Sequence, residues 1–453
     1  MQDQLKQWIS EQWENCNLGD NRRNTRAIKI AQSIILKPDL SLPNQLENWA
    51  ELKAAYRFFN TEKVTHESLQ KKHREKLLER AKQEEIVLFI QDTSELDYSS
   101  HKATEGLGPI GNHKGRGVLF HSALAVSCTK KDKRILGLAH QIVWTREEIP
   151  YGKNELPSKK RQRPKESSLW KDTLNAIPKP KNALWVSIGD RSNDVFDFFT
   201  FCEAHDWNYL IRANHDRSVI VDDGKQSHLK EFACSFPPET QKTIHLRGRN
   251  NLEGRSVNLK ISWGKVTILH PKNYGKQYEN IHIEAWVIRC WEDVPDGIEW
   301  ILLTNLPVNN AEEALEKIDW YSTRWLIEEY HKCLKTGCAI EKRQLRTKDG
   351  LLAMLGCLGI IATKLLELKF ATRRDPDELA KNHVPLIDLQ IICSYFRLQK
   401  DHITIQQFWR KVASLGGFIG RKSDGDPGWQ TLWKGLLRLF DMISGAELVK
   451  TCG

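Results

Sequence analysis

Residues 86–92 read IVLFIQD, and this short apolar run ending in an acid decides the fold class of the chain. Its β-branched and aromatic residues, with no polar alternation, predict a strand that is buried on both faces. A second run of this kind, ALWVSIGD at residues 183–190, also ends in an aspartate. We therefore expect Asp92 and Asp190 to lie at the carboxyl ends of two buried strands.

The segments around these two runs predict a mixed α/β sheet. Three consecutive strands are followed by helix, strand, helix and strand, an order that brings helices onto both faces of one sheet. The further strands are FHSALAVSC (120–128), ILGLAHQIVW (135–144) and NYLIRA (208–213), and the helices are KESSLWKDTLNAI (165–177) and NDVFDFFTFCEAH (193–205).

Three parts of the chain differ in pattern. Residues 1–70 are predicted to be a helical N-terminal domain, and residues 370–453 a helical C-terminal domain rich in Trp and Leu. Between them, residues 71–369 form the predicted mixed α/β domain. Alternating apolar and polar patches such as VNLKISWGKVTI indicate a β-rich insertion within it, at about residues 215–305.

Composition narrows the class of protein. The 453 residues carry 68 Lys and Arg against 58 Asp and Glu, and the net charge of +10 favours a polyanionic partner. Ten scattered cysteines without a C-x-x-C pair argue against disulfides and a zinc ribbon. The N-terminus has no signal-peptide core, and the apolar stretch 351–362 is too short to span a bilayer. We expect a soluble cytoplasmic protein with no membrane partner.

A late helical stretch, YSTRWLIEEYHKCLKTG at residues 321–337, carries an unusual set of side chains. At about 100° per residue, Tyr321, Arg324, Glu328 and Lys335 project at roughly 0°, −60°, −20° and −40°, along one stripe. A carboxylate beside a phenol, a guanidinium and an ammonium suits a site in which it holds a metal while its neighbours grip a phosphate. Ion pairing on a solvated helix face is the alternative.

Glu328 is the third candidate acid, after Asp92 and Asp190. Carboxylates placed side by side repel one another unless a divalent cation neutralises them. Three carboxylates with open coordination positions are what Mg²⁺ or Mn²⁺ requires for two-metal phosphodiester chemistry. The three acids together predict a Mg²⁺ site, in which Mn²⁺ is expected to substitute.

Basic residues occur in two other places. Asp20 is a candidate N-cap for a helix whose first turns carry Arg22, Arg23 and Arg26. The helix dipole disfavours cations there, which indicates an anionic ligand, although a solvated face is the alternative. Residues 159–165 form a basic run that is either a solvated loop or a segment that follows phosphates.

At this point the chain resembles a known family, the DDE transposases of the insertion-sequence-four group, which includes the transposase of transposon Tn five. The resemblance runs almost from end to end. It rests on the Arg-rich N-terminal helix and on the motifs AYRFFN, QDTSELDYS, KESSLW, GDRSNDVFDFF, WILLTNLPV, Y-(2)-R-(3)-E-(6)-K at residues 321–335, LGGFIGRK and W-(2)-LW-(1)-G.

The resemblance implies a DNA-binding role for residues 1–70, a dimerisation role for residues 370–453 and, in residues 71–369, a ribonuclease-H-like catalytic core interrupted by the β-rich insertion. It implies that Asp92, Asp190 and Glu328 are the metal-binding catalytic triad. By the same resemblance, Tyr321, Arg324 and Lys335 hold the phosphate and the transposon end. Two further positions match the family by spacing, and each also has a structural interpretation. Trp300 would stack on a flipped base or be a core residue, and Arg212 would contact DNA or be an exposed strand-end arginine.

The function that follows is cut-and-paste DNA transposition by a homodimer on double-stranded DNA, both transposon ends and target. The route implied is 3′ nicking, a hairpin intermediate, and joining of the 3′-OH to target DNA, in a cytoplasmic, nucleoid-associated bacterial enzyme. A metal-dependent nuclease of the same fold and a non-catalytic, DNA-binding regulatory copy are the alternatives.

Overall fold

The computed structural model describes residues 1–112, 114–129, 132–147, 165–221, 224–246, 254–271, 281–421 and 424–451. The basic run at residues 159–165 lies outside them apart from its last residue. The α-helices are α1 (Gln2–Trp13), α2 (Asn21–Leu36), α3 (Leu42–Gln45), α4 (Trp49–Phe59), α5 (His66–Ala81), α6 (Leu169–Asn175), α7 (Phe196–Ala204), α8 (Leu229–Ser235), α9 (Ala311–Ser322), α10 (Trp325–Lys332), α11 (Lys348–Glu367), α12 (Leu386–Phe396), α13 (Ile405–Leu415) and α14 (Trp429–Thr451).

The strands belong to one mixed sheet. They are β1 (Ile86–Asp97), β2 (Gly108–Ile110), β3 (Gly115–Cys128), β4 (Lys133–Trp144), β5 (Leu184–Gly189), β6 (Asn208–Arg212), β7 (Ser218–Ile220), β8 (Gln226–His228), β9 (Thr240–Leu246), β10 (Arg255–Ile268), β11 (Ile283–Glu292) and β12 (Glu299–Thr304).

The first part of the sheet has the ribonuclease-H-like order expected from the sequence. β1 pairs antiparallel with β3, which pairs antiparallel with β4. On its other side β1 pairs in parallel with β5, and β5 in parallel with β6. The order β4-β3-β1-β5-β6 therefore places the carboxyl ends of β1 and β5 at one edge of the sheet.

The β-rich insertion extends this sheet. β12 pairs antiparallel with β6, with Leu302 opposite Arg212, and β11 and β10 continue beyond β12. A strand that returns from the insertion thus becomes the neighbour of the last core strand. Pairing through β12 holds the insertion in register with the core.

Both faces of the sheet are buried at β1, as its apolar run predicts. Val87 and Phe89 of β1 belong to a core shared with α6, α7 and α8, whereas Leu88 and Ile90 belong to a core shared with α11. Helix α11 and its extension, Lys348–Phe370, are long and apolar enough to cross a membrane, but 78% of the apolar 18-residue window within it is buried inside the protein. This helix is a core element, as the sequence predicts for residues 351–362.

The N-terminal helices pack against the catalytic part. Asp20 caps α2 by accepting a hydrogen bond from the Arg22 backbone N–H, as expected. The indole of Trp13 in α1 donates to the Leu69 carbonyl in α5 at 3.1 Å. Helix α5 is continuous across the expected domain boundary at residue 70 and packs against β4. This helix consequently serves both parts of the chain.

His73 in α5 joins three elements. Its Nδ1–H donates to Gln12 Oε1 of α1 at 2.8 Å, and its Nε2 accepts from the Leu138 N–H of β4 at 3.1 Å. Burial, followed by the charges of Arg80 and Arg74, lowers the pKa of His73 to about 3. The folded protein therefore favours the neutral form of this imidazole.

The C-terminal helices α13 and α14 approach at backbone distance. A Cβ at Gly435 would lie 1.8 Å from the Val412 carbonyl oxygen, and one at Gly416 would lie 1.9 Å from that of Thr431. Glycine is required at both positions because each faces the main chain of the opposite helix. Gly416 of the LGGFIGRK motif and Gly435 of the W-(2)-LW-(1)-G motif are thereby explained by packing.

Replacing Gly435 by Ala should destabilise the C-terminal helices by about 1–3 kcal/mol, because the two backbones must separate. The control is Gly445→Ala in the same helix, where an added Cβ meets nothing within 4 Å. That change should be neutral or stabilise by about 0.5–1 kcal/mol. Urea unfolding followed by tryptophan fluorescence measures both variants, and equal effects would contradict the close approach.

Acid should weaken the junction at His73. Its folded pKa lies below the unfolded value of about 6.5, so its stabilisation is present above pH 6.5 and is lost as pH falls toward 3. Between pH 7 and pH 5 we expect the stability advantage of the wild type over His73→Asn to shrink by about 2 kcal/mol. Hydrogen exchange of amides in α1 and α5 measures this, and a difference independent of pH would contradict it.

Candidate active site

Asp92 lies beside the end of a parallel neighbour. β1 and β5 are paired as far as Ile90 and Ile188, so Asp92 and Asp190 both follow the last paired positions. The expectation that Asp92 ends its own strand is wrong, because β1 continues in antiparallel pairing with β3 to Asp97. β5, in contrast, ends at Gly189, so it does not pair with β1 at Asp92.

The carboxyl group of Asp92 is largely withdrawn from water. Its side chain is 21% exposed. Burial, and after it the negative charge of Asp190, raises the pKa of Asp92 to about 7. A hydrogen bond from the Thr93 N–H and the positive charge of Arg324 act in the opposite direction. Glu328 contributes further repulsion. The three acids predicted from the sequence therefore act on one another electrostatically.

Asp190 begins a single helical turn, residues 191–193, directly after β5. Its Oδ1 accepts a hydrogen bond from the Ser192 N–H at 2.8 Å. The side chain of Asn193 fills the space beneath Gly189, where a Cβ would lie 2.4 Å from Asn193 Nδ2. The acid thus sits on a short, tightly packed turn.

Glu328 is held by a cation in this structure. Its Oε1 accepts from Arg324 Nη2 at 2.5 Å, and about a third of its side chain is exposed. Within the described ranges, no three acidic, histidine or cysteine side chains lie close enough together to hold an ion. By chemistry the three carboxylates fit a divalent cation, since their repulsion and the desolvation of Asp92 call for positive charge.

The helical stripe is interrupted. α9 ends at Ser322 and α10 begins at Trp325, and the α-helix gives way to a π-turn at Cys333–Gly337. The expectation of one regular helix is therefore wrong. The wider turn changes the angle at Lys335, whose Nζ lies 3.9 Å from Glu341 Oε1. Lys335 still lies close enough to the buried His331 for its charge to lower the pKa of that imidazole.

Tyr321, Arg324, Arg212 and Trp300 form a second cluster next to the acids. The rings of Trp300 and Tyr321 meet edge to face, with centroids 5.2 Å apart. Burial raises the pKa of Tyr321, whereas the charges of Arg324 and Arg212 oppose the rise. Arg212 Nη2 donates to the Glu299 carbonyl at 2.7 Å, across the β6–β12 pair. Trp300 is only partly buried and packs against the hydrophobic core.

The three N-terminal arginines that the sequence singled out belong to helix α2. Arg22 pairs with its own N-cap Asp20, Arg23 donates to the Leu18 carbonyl, and Arg26 lies 3.9 Å from Glu51. Each of these contacts is within the N-terminal helices. With 92% of its side chain exposed, Arg22 is available to a partner.

Sequence reasoning assigned no role at the site to two residues that lie near the acids. Arg191 is exposed, and its charge lowers the pKa of Arg212 after the larger effect of burial. His331 lies 4.0 Å from Asp92, between its Nδ1 and the carboxylate Oδ2, and burial lowers its pKa to about 3. The position of Arg191 directly after Asp190 was the available signal. For His331 there was none, because a buried neutral histidine resembles any core histidine.

Comparisons with known proteins identify the family of this chain. Residues 113–363 match the family model of the transposase DDE domain, which is more than half of the chain. Asp190 and Glu328 lie inside that range, and Asp92 precedes it. Residues 5–64 match a transposase DNA-binding domain, and residues 390–452 match the transposase Tn5 dimerisation domain.

Among solved structures, the chain is similar to a cryo-EM structure of the piggyBac transposase synaptic complex with hairpin DNA. The identity is 10%, the match covers 93% of this chain and 74% of the other, and the TM-score is 0.34. The family models alone decide the assignment. The chain belongs to the DDE transposases, enzymes that cleave DNA and transfer its strands in dependence on divalent metal ions, and it has the DNA-binding and dimerisation domains of such an enzyme.

Proposed function

We propose that this transposase cuts and pastes DNA through a hairpin intermediate, with Asp92, Asp190 and Glu328 as the catalytic, metal-holding residues and Mg²⁺ as the ion. The observation that carries this proposal is the desolvated Asp92, whose charge is opposed by both other acids. When bound, divalent ions would activate the attacking oxygen and stabilise the leaving oxygen. Mn²⁺ has the same preference for oxygen ligands and should substitute.

In this proposal Arg324 pairs with Glu328 in the free protein and with the scissile phosphate in the DNA complex. It now neutralises Glu328, and a bidentate guanidinium binds a phosphate equally well. Arrival of the scissile phosphate would draw Arg324 from Glu328 and free that carboxylate. Tyr321 and Arg212 adjoin Arg324 and would contact the same DNA strand. Lys335, at the π-turn, would hold a neighbouring phosphate.

Trp300 would receive the flipped base. Its ring is supported edge-on by Tyr321 and is partly open to solvent, so a base can stack on it. A hairpin requires a tight bend in the DNA, and removing one base from the stack relieves that bend. The neighbouring Arg212 would steady the backbone.

The chemical route has four in-line displacements at phosphorus. Water first breaks one phosphodiester and leaves a 3′-OH at the transposon end. That hydroxyl attacks the opposite strand to close a hairpin, and water reopens it. The restored 3′-OH then attacks target DNA, forming one new phosphodiester for each one broken. Asp92, Asp190 and Glu328 would serve every step from one place.

We propose the same three-part organisation as the sequence predicts: DNA binding in residues 1–70, catalysis in 71–369 and dimerisation in 370–453. Arg22, Arg23 and Arg26 would contact the inverted-repeat end, because they lie apart from the acids on their own helix. A homodimer would hold two ends in the synaptic complex. Such a protein would work on the nucleoid in the cytoplasm.

Two alternatives remain distinguishable. A nuclease of this fold would cut without forming a hairpin or joining ends. A regulatory copy would bind ends without cutting, and the repulsion among three retained carboxylates disfavours it, since acids without metal repel phosphate. A labelled duplex with the inverted-repeat end, incubated with the protein and Mg²⁺, tells the three apart. A 3′ nick followed by a hairpin supports the proposal.

Replacing Glu328 by Ala should abolish cleavage while leaving binding to the end duplex within about twofold, because the carboxylate holds metal and repels DNA. The control is Glu329→Ala, since Glu329 lies about 100° around the helix from Glu328 and 3.8 Å from Lys369. The measurements are a cleavage assay in Mg²⁺ and a gel shift in Ca²⁺. Unchanged cleavage by the Glu328 variant would exclude the triad.

Replacing Trp300 by Ala should slow hairpin formation about ten- to a hundredfold and leave the first nick nearly unchanged, since loss of stacking costs about 1–3 kcal/mol per base. Trp300→Phe keeps a ring and should retain most of the rate. Gel electrophoresis separates nicked from hairpin products, and 2-aminopurine fluorescence reports the flipped base. Equal slowing of both steps would contradict the stacking role.

A further inference from the structure

A buried ion pair joins the turn after Asp190 to the segment that follows β6. The side chain of Asp194 has no exposed surface, and that of Arg217 is 7% exposed. Arg217 donates to Asp194 Oδ1 from Nε at 2.8 Å and from Nη2 at 2.6 Å. The same Nη2 also donates to the Asp194 carbonyl at 2.7 Å.

The second carboxylate oxygen holds the main chain of that segment. Asp194 Oδ2 accepts hydrogen bonds from the backbone N–H groups of Asn214 and His215, both at 2.7 Å. A buried carboxylate that is fully paired in this way has one geometry, because any displacement leaves a charge without its partners. The pair therefore fixes the two chain segments relative to each other.

Both segments begin at residues of the proposed active site. Asp190 is four positions before Asp194, and the intervening turn is packed tightly beneath Gly189. Arg212 ends β6, and Asn214 is two positions further on. The ladder between β5 and β6 extends only to Gly189 and Ile211, so it does not reach Asp190. Beyond it, the Asp194 carboxylate joins the two segments.

We propose that Asp194 and Arg217 are positioning residues of the transposase reaction: their pairing holds Asp190 in register with Arg212 and so sets the affinity of the site for its divalent ion. The inference rests on the proposed role of Asp190. Residues that orient a metal ligand typically change metal affinity about 10–100-fold when altered. A displacement of about 1 Å at a reacting centre can cost about a hundredfold in rate.

The test compares Asp194→Asn, Arg217→Gln and the double variant with the wild type. The matched control is Asp293→Asn, which removes the acid from an exposed ion pair with Lys260 in the β-rich insertion. Mn²⁺ binding to the protein without DNA is measured by electron paramagnetic resonance of the free ion. The Mn²⁺ concentration for half-maximal cleavage and the thermal unfolding midpoint are measured alongside.

We expect each single variant to weaken Mn²⁺ binding about tenfold or more and to raise the half-maximal Mn²⁺ concentration in parallel. The double variant should recover much of this loss, since two amides can pair where one charge without its partner cannot. Asp293→Asn should match the wild type. Should Asp194→Asn fail to fold, Arg217→Lys keeps the charge and is judged by the same measurements.

A lower unfolding midpoint with unchanged Mn²⁺ binding would overturn the proposal and make the pair merely structural. Asp190→Asn separates this failure from that of the proposed function. If Asp190→Asn leaves Mn²⁺ binding unchanged, the metal site itself is wrongly placed and the positioning role falls with it. If Asp190→Asn abolishes binding and Asp194→Asn does not weaken it, only the positioning role fails.

Discussion

Repulsion between carboxylates at the edge of a buried sheet is the constraint on which the rest of the site depends. Parallel pairing of β1 and β5 sets Asp92 beside Asp190 where water is largely excluded. Burial and the neighbouring charge raise the pKa of Asp92 to about 7. The electrostatic free energy of holding these carboxylates together must be offset by another interaction, and a bound divalent cation would offset it directly. Without a bound ion, the positive charge of Arg324 offsets part of this repulsion.

The balance between Arg324 and Glu328 connects this constraint to DNA. The guanidinium neutralises the carboxylate in the structure, and a phosphate offers it an equally suitable partner. One exchange of partners would therefore supply both a cation for the DNA and a free acid for the metal. Under the proposed function the substrate would complete the site, so that hydrolytic chemistry without bound DNA would be disfavoured.

Much of this could be read from local patterns. The apolar runs before Asp92 and Asp190 predicted neighbouring buried strands, and the family resemblance implied the ribonuclease-H-like core that the sheet has. Glu328 and its neighbours were found from helical spacing. That spacing failed at Lys335, because a π-turn interrupts the helix. A one-residue widening of a turn depends on packing, and residue types at helical intervals do not reveal it.

The sequence by itself determined which strands and helices form and which side chains carry charge, because periodicity and residue chemistry are local properties. Only the tertiary structure decided that the β-rich insertion extends the core sheet through β12. Only it brought Trp300 against Tyr321 and closed Asp194 on Arg217. These contacts join residues far apart in the chain, and their energies come from burial and pairing that exist after the sheet has formed.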